Sequence, residues 1–135
     1  MNIDANDLIV GRIATVAAKK ALLGEEVNIV NCKEAVFSGK KKTVLARFQR
    51  FREMGTPTTG PFIHRNPKDI VKRTVRGMLS YKQPRGRKAF ERIKCYNDVP
   101  EKLKDKLETI EEAHVKKLPS RNYMKVKDIS KVLGV

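Results

Sequence analysis

The chain reads as an α/β domain built on a parallel sheet, and three observations carry that reading. Short apolar runs of strand length occur at 27–30, 35–37 and 93–96. Longer segments with apolar residues at helical spacing lie between and beside them. The two kinds of segment alternate, the order that parallel strands with right-handed helical crossovers require. A chain of 135 residues fits one domain. Its 40% hydrophobic content supports a core that a disordered basic tail would lack.

Residues 2–5 are short and extended in character, and they lead into 11–24. There Ile13, Val16, Ala17 and Ala21 fall at helical spacing and Gly24 supplies a stop. Val27 to Val30 reads as a buried strand, and Ala35-Val36-Phe37 as a second run that ends at Ser38-Gly39. A helix is expected from about Lys40 to Met54, with Val44, Leu45, Phe48 and Phe51 on one side and Arg47 and Arg50 on its flank. Gly and Pro punctuate 55–61 as a loop. Asn66 as cap, Pro67 in the first turn and Asp69 near the positive end of the dipole announce the next helix. On its wheel Ile70, Val71, Thr74, Val75 and Met78 form one arc, and Lys72, Arg73 and Arg76 the opposite one.

The stretch 80–87 interrupts the periodicity, and its Pro-Arg-Gly-Arg composition predicts a loop from Tyr81 to Arg87 that is poorly ordered in the free protein and becomes ordered on RNA. Gly77 and Gly86 suit a backbone lying close to something bulky. A short helix over 88–92, anchored by Ala89 and Phe90, precedes the last expected strand at 93–96. Beyond Pro100 both signs of charge mix evenly. Leu103, Leu107 and Ile110 then predict a peripheral amphipathic helix over 101–117, which Pro119 ends. In 122–135, Met124, Val126, Ile129, Val132 and Leu133 give a tail fit to dock. Residues 1–98 are thus the α/β core, and 99–135 the C-terminal helix and docking tail of the same domain.

Charge points to the partner. Residues 40–94 hold seventeen Lys and Arg against three Asp and Glu, a net +14 in a chain whose total is +15. Neutralising phosphates releases condensed counterions, so a field this concentrated implies a nucleic-acid partner. Any one of these residues alone is an ordinary solvated position; collectively they are not. The arginines add planar forks suited to phosphates and bases. Aromatic content is only 6%, which speaks against a single-strand stacking platform.

Other chemistry finds little support. The run from Phe37 to Thr43 suggests a P-loop, but Glu34 stands where glycine is needed and Lys41 where Ser or Thr is needed. What survives is a helix start with three lysines, a generic phosphate dock. His64 lacks a carboxylate to orient it. It reads as a stacking or phosphate contact, then as a bystander, and only last as a catalyst. Cys32 and Cys95 match no zinc spacing and read as reduced thiols in the core. No metal, cofactor or small-molecule substrate is expected. No apolar run is long enough to span a membrane and no signal peptide is recognisable, so a cytoplasmic protein is expected.

A family resemblance gathers these residues. Gly11-Arg12-Ile13-Ala14-Thr15, Leu22-Leu23-Gly24, Val27 to Asn31, and above all Arg73-Thr74-Val75-Arg76-Gly77-Met78-Leu79 running into Arg85-Gly86-Arg87-Lys88-Ala89-Phe90 resemble the L13 family of large-subunit ribosomal proteins. Gly60-Pro61-Phe62-Ile63-His64-Arg65 and Tyr123-Met124-Lys125-Val126 resemble its archaeal and eukaryotic branch. The resemblance implies a three-layer α/β/α domain with a four-stranded parallel sheet and no active site. It also implies a structural role on the ribosome, bound to large-subunit rRNA from early assembly, beside neighbouring ribosomal proteins and monomeric when free. The expected rRNA-binding residues are Lys40, Lys41, Lys42, Arg47, Arg50, His64, Arg65, Lys72, Arg73, Arg76, Lys82, Arg85, Arg87, Lys88 and Arg92. An off-ribosome translational regulator using the same surface, and a nucleic-acid enzyme, are the alternatives.

Overall fold

The computed structural model describes residues 1–134; Val135, the end of the predicted tail, lies outside the described residues. Strands β1 (Asn2–Asp4), β2 (Val27–Val30) and β4 (Ile93–Cys95) form a parallel sheet in the order β1-β2-β4. The register pairs Ile3 with Ile29 and Val27 with Ile93. Side chains alternate across a strand, so these four point to one face, where all are fully buried. Helix α1 (Val10–Leu22) packs on both α3 (Pro67–Arg76) and α4 (Pro84–Glu91), and all three lie against that sheet. The buried side of α1 is mostly alanine, at Ala14, Ala17, Ala18 and Ala21, which lets the neighbouring helices approach closely. The opposite sheet face carries a polar row of Asn2, Asn28 and Lys94, in which Asn28 Nδ2 donates to Asn2 Oδ1 at 2.9 Å, beside the fully buried Val30.

The sheet has three strands where the resemblance implied four. The run at 35–37 does form a strand, β3 (Val36–Ser38), but β3 pairs antiparallel with β5 (Tyr123–Lys125) instead of joining the parallel sheet. A one-residue parallel bridge fills the remaining edge: Asp4 N–H donates to Glu108 O at 2.9 Å, and Glu108 N–H donates to Asn2 O at 2.8 Å.

That bridge also explains why the expected helix over 101–117 does not form. Its backbone groups serve other partners, since Ala113 O accepts from Ile9 N–H at 2.8 Å and Glu108 completes the edge of β1. Only short 3-10 turns remain, at Glu101–Leu103, Glu111–Ala113 and Val115–Lys117. The C-terminal helix expected beside the α/β core is therefore replaced by these turns.

The 80–87 stretch is another departure, because α4 begins at Pro84 rather than near 88. Gly86 is buried against the Ser80 carbonyl so closely that a Cβ there would lie 2.0 Å from its oxygen. Composition suggested a loop awaiting a ligand; backbone packing makes the segment a preformed helix start.

Nor is 93–96 the last strand, for the tail supplies β5 and then α5 (Val126–Val132). Met124, Val126, Ile129 and Leu133 join the same core as the sheet, and Ser130 Oγ donates to Arg65 O at 2.5 Å. Helix α2 (Lys41–Glu53) packs on β5 and α5. Phe51, Met78 and Val132, expected on packed faces, are exposed. Cys32 is buried, with its thiol donating to Ile29 O at 3.6 Å. Its hydrogen bond with Cys95 and its burial push that thiol far up, so it stays protonated and behaves as a small core hydrophobe.

Candidate nucleic-acid interface

Helix α2 is anchored through Val44 and Phe48, which leaves most of its surface to solvent. Lys40, Lys41 and Lys42 stand exposed at its start, where no side chain caps the free N–H groups. Arg47 and Arg50 are exposed one and two turns on. Helix α3 buries Ile70, Val71 and Val75. Of its basic arc only Arg73 is exposed, and Lys72 and Arg76 are half-buried. Lys72 Nζ sits 4.8 Å from the centroid of the Phe90 ring, and the Arg76 guanidinium 4.7 Å from that of Tyr81. These contacts draw Lys72 towards the C-terminal end of α4 and Arg76 towards the turn that precedes it. Arg76 Nε is buried with no hydrogen-bond partner.

The N-terminus of α3 is not capped by the residue expected. Asn66 makes no side-chain cap bond; instead Asn97 Oδ1 accepts from Lys68 N–H at 3.0 Å while Asn97 Nδ2 donates to Asn66 Oδ1 at 2.9 Å. A residue beyond β4 thus fixes where the basic helix starts. In α4, Gly86 and Ala89 face inward and leave Arg85, Arg87 and Lys88 exposed, with Lys82 exposed in the preceding turn. Arg92 differs from the other candidates: it is half-buried, and its guanidinium donates to Ala21 O at 2.9 Å, closing the C-terminal end of α1.

Four of the candidates converge. Arg47, His64, Arg73 and Arg76 line one groove of about 620 Å³ between α2 and α3, together with Phe37, Phe48, Phe51 and Phe62. Arg65 lines an adjoining cavity of about 470 Å³ beside Phe62 and Leu133. The clustering of phenylalanines is the feature that reading the sequence misses. Phe48 and Phe51 are spaced to share a helix face, but Phe37 and Phe62 come from a strand and a loop that only the fold brings in.

The electrostatics divide along the same line. Glu34 binds Lys125 at 2.7 Å and Lys127 at 3.1 Å, and Lys125 also reaches Asp7 at 3.6 Å. Hydrogen bonds from the two lysines hold the Glu34 carboxyl below its ordinary range. Lys33 pairs with Asp98 and Lys20 with Glu25. Among the described residues, none of the seventeen basic side chains in 40–94 makes an ion pair. Among those residues, too, no three His, Cys, Asp or Glu gather as a metal centre, and no helix is long and apolar enough to cross a membrane.

Comparison with known proteins places the chain in a family. The family model for Ribosomal protein L13 matches residues 1–102. The large ribosomal subunit protein uL13 of Methanococcoides burtonii is 46% identical over 133 residues, spanning 98% of this chain and 96% of that protein. Those of Methanosarcina barkeri and Methanocaldococcus jannaschii are 45% and 40% identical, with the same coverage on both sides. Matched by the family model over most of its length and by archaeal relatives over nearly all of it, the chain belongs to the ribosomal protein L13 family, whose members are structural ribosomal proteins and not enzymes.

Proposed function

We propose that the chain is a structural constituent of the large ribosomal subunit that binds large-subunit rRNA through the basic surface of α2, α3 and α4 and supports early subunit assembly. The observation that carries this reading is that, among the described residues, none of the basic side chains in 40–94 makes an ion pair, while the ion pairs of Lys20, Lys33, Lys125 and Lys127 all lie in the flanks. Charge left unpaired within the protein is available to phosphates. Each phosphate neutralised releases counterions, and rRNA segments that repel one another can then be held side by side. The lysines at the start of α2, Arg50, Arg65 and the α4 residues supply phosphate contacts around the groove where Arg47, His64, Arg73 and Arg76 meet. Arg92 serves the fold first and the RNA at most with its remaining donors. The free protein is a monomer, and residues 1–98 and 99–134 fold as one unit because the tail shares the core. The exposed acidic and basic residues of 101–117 face neighbouring ribosomal proteins. No cofactor or metal takes part.

The test is the salt dependence of binding to large-subunit rRNA, joined to co-sedimentation with large subunits in high salt. About ten phosphate contacts give a log–log slope of roughly −7 to −9. A shallow slope, or a protein that leaves the subunits at modest salt, contradicts the proposal and favours a regulator working off the ribosome.

A further inference from the structure

We propose that the groove between α2 and α3 is a nucleobase pocket that receives the base of an unpaired rRNA nucleotide. This rests on the reading of the basic surface as rRNA-binding and goes further, because it specifies one subsite and the form of RNA it takes. Phe37 and Phe48 form the floor, their rings edge to face at 5.4 Å. The Arg47 guanidinium lies 5.5 Å from the Phe48 centroid and 5.9 Å from that of Phe37. Phe51 and Phe62 rise at the sides and are 44% and 74% exposed. Exposing two phenylalanines to water is unfavourable unless something covers them.

The rim says what covers them. Arg47, Arg73 and Arg76 line the groove and no carboxylate does, so an occupant must combine a flat apolar body with negative charge close by. A lipid tail or an uncharged protein segment would leave the three arginines unanswered, and the excess of +14 over 40–94 around the groove suits a chain of phosphates better than a single acidic peptide. A nucleotide answers both requirements: its base stacks on rings or on a guanidinium plane, and the flanking phosphates take the arginines. The volume of about 620 Å³ lies within the roughly 300–1,000 Å³ of pockets that enclose small ligands. Bases locked in a duplex cannot enter, so the pocket selects an unpaired residue in a loop, bulge or single strand.

The test compares two RNA probes with the full chain: an oligoadenylate carrying one 2-aminopurine, and a fully paired duplex of equal phosphate number. Phe62→Ala and Phe51→Ala remove exposed rings, and Phe62→Tyr keeps a ring. Loss of one stacked base is expected to weaken oligoadenylate binding roughly five- to 150-fold. Duplex affinity and the salt slope should hold, Phe62→Tyr should restore single-strand binding, and bound wild type should change the 2-aminopurine fluorescence. Equal weakening of both probes, or no weakening of either, overturns the pocket, as does unchanged fluorescence on saturation. If wild type binds both probes with a steep slope while the Phe variants change nothing, the pocket fails and the rRNA reading stands. If wild type binds neither probe, both fail.

Discussion

Replacing Gly86 with alanine tests whether α4 is built as described. A Cβ at this position would lie 2.0 Å from the Ser80 carbonyl oxygen, 2.2 Å from its carbon and 2.8 Å from its Cα, all backbone atoms that no rotamer change can move. That backbone is pinned in a tight turn, with Gln83 N–H donating to Ser80 O at 3.0 Å and Tyr81 N–H to Leu79 O at 2.9 Å. Overpacking costs about 1–3 kcal/mol, and a clash with fixed backbone belongs at the upper end. Alanine returns about 1 kcal/mol in helix propensity, so the net loss is about 2 kcal/mol. In a chain of this size that lowers the Tm by roughly 6–10 °C. Gly11→Ala is the control: Gly11 lies in α1 with no atom within 4 Å of the added Cβ, and it should gain about 0.5–1 kcal/mol. Calorimetric unfolding of the two variants beside wild type decides the matter. Gly86→Ala as stable as wild type refutes the packing argument and returns Arg85 and Arg87 to a loop.

Replacing Lys72, Arg73 and Arg76 together with alanine should lower the magnitude of the rRNA salt slope by about 2–3 units, read from binding isotherms at several salt concentrations. Asn97→Ala should cost about 1 kcal/mol in urea unfolding, because it removes the cap of α3, whereas a cap supplied by Asn66 would make it neutral. Lys125 and Lys127 hold the folded-state pKa of Glu34 below its unfolded value. Their stabilisation is therefore present above pH of about 4.3 and is lost as the pH falls through the folded value. Glu34→Gln should then cost about 1 kcal/mol or less at neutral pH, and its difference from wild type should vanish in acid; urea midpoints across pH measure this.

Parts of the architecture carried by local pattern were legible from the sequence. The alanine stripe of α1, the β-branched β2 and the Pro67–Asp69 helix start each announce themselves within a few residues, and the structure has them. What escaped is set by distant partners. Leu103, Leu107 and Ile110 have helical spacing, yet the segment is claimed by the open edge of β1, which no local pattern encodes. Gly86 looks like a flexible residue until Ser80 is placed against it. The basic residues stood out by composition alone; the aromatic groove did not, because its four rings meet only once β3, α2 and the 55–65 loop are folded together. Glu34, which spoils the phosphate-loop pattern, has its own task in tethering the tail through Lys125 and Lys127.

Cross-linking the protein to RNA within native large subunits, and mapping which peptides carry nucleotide adducts, tests the central claim most directly. The account predicts adducts on the α2, α3 and α4 peptides within 40–94, including the peptide that carries Phe62, and few between 101 and 121. Adducts concentrated in 101–134, with 40–94 unmodified, would contradict it and place the rRNA on the other side of the molecule.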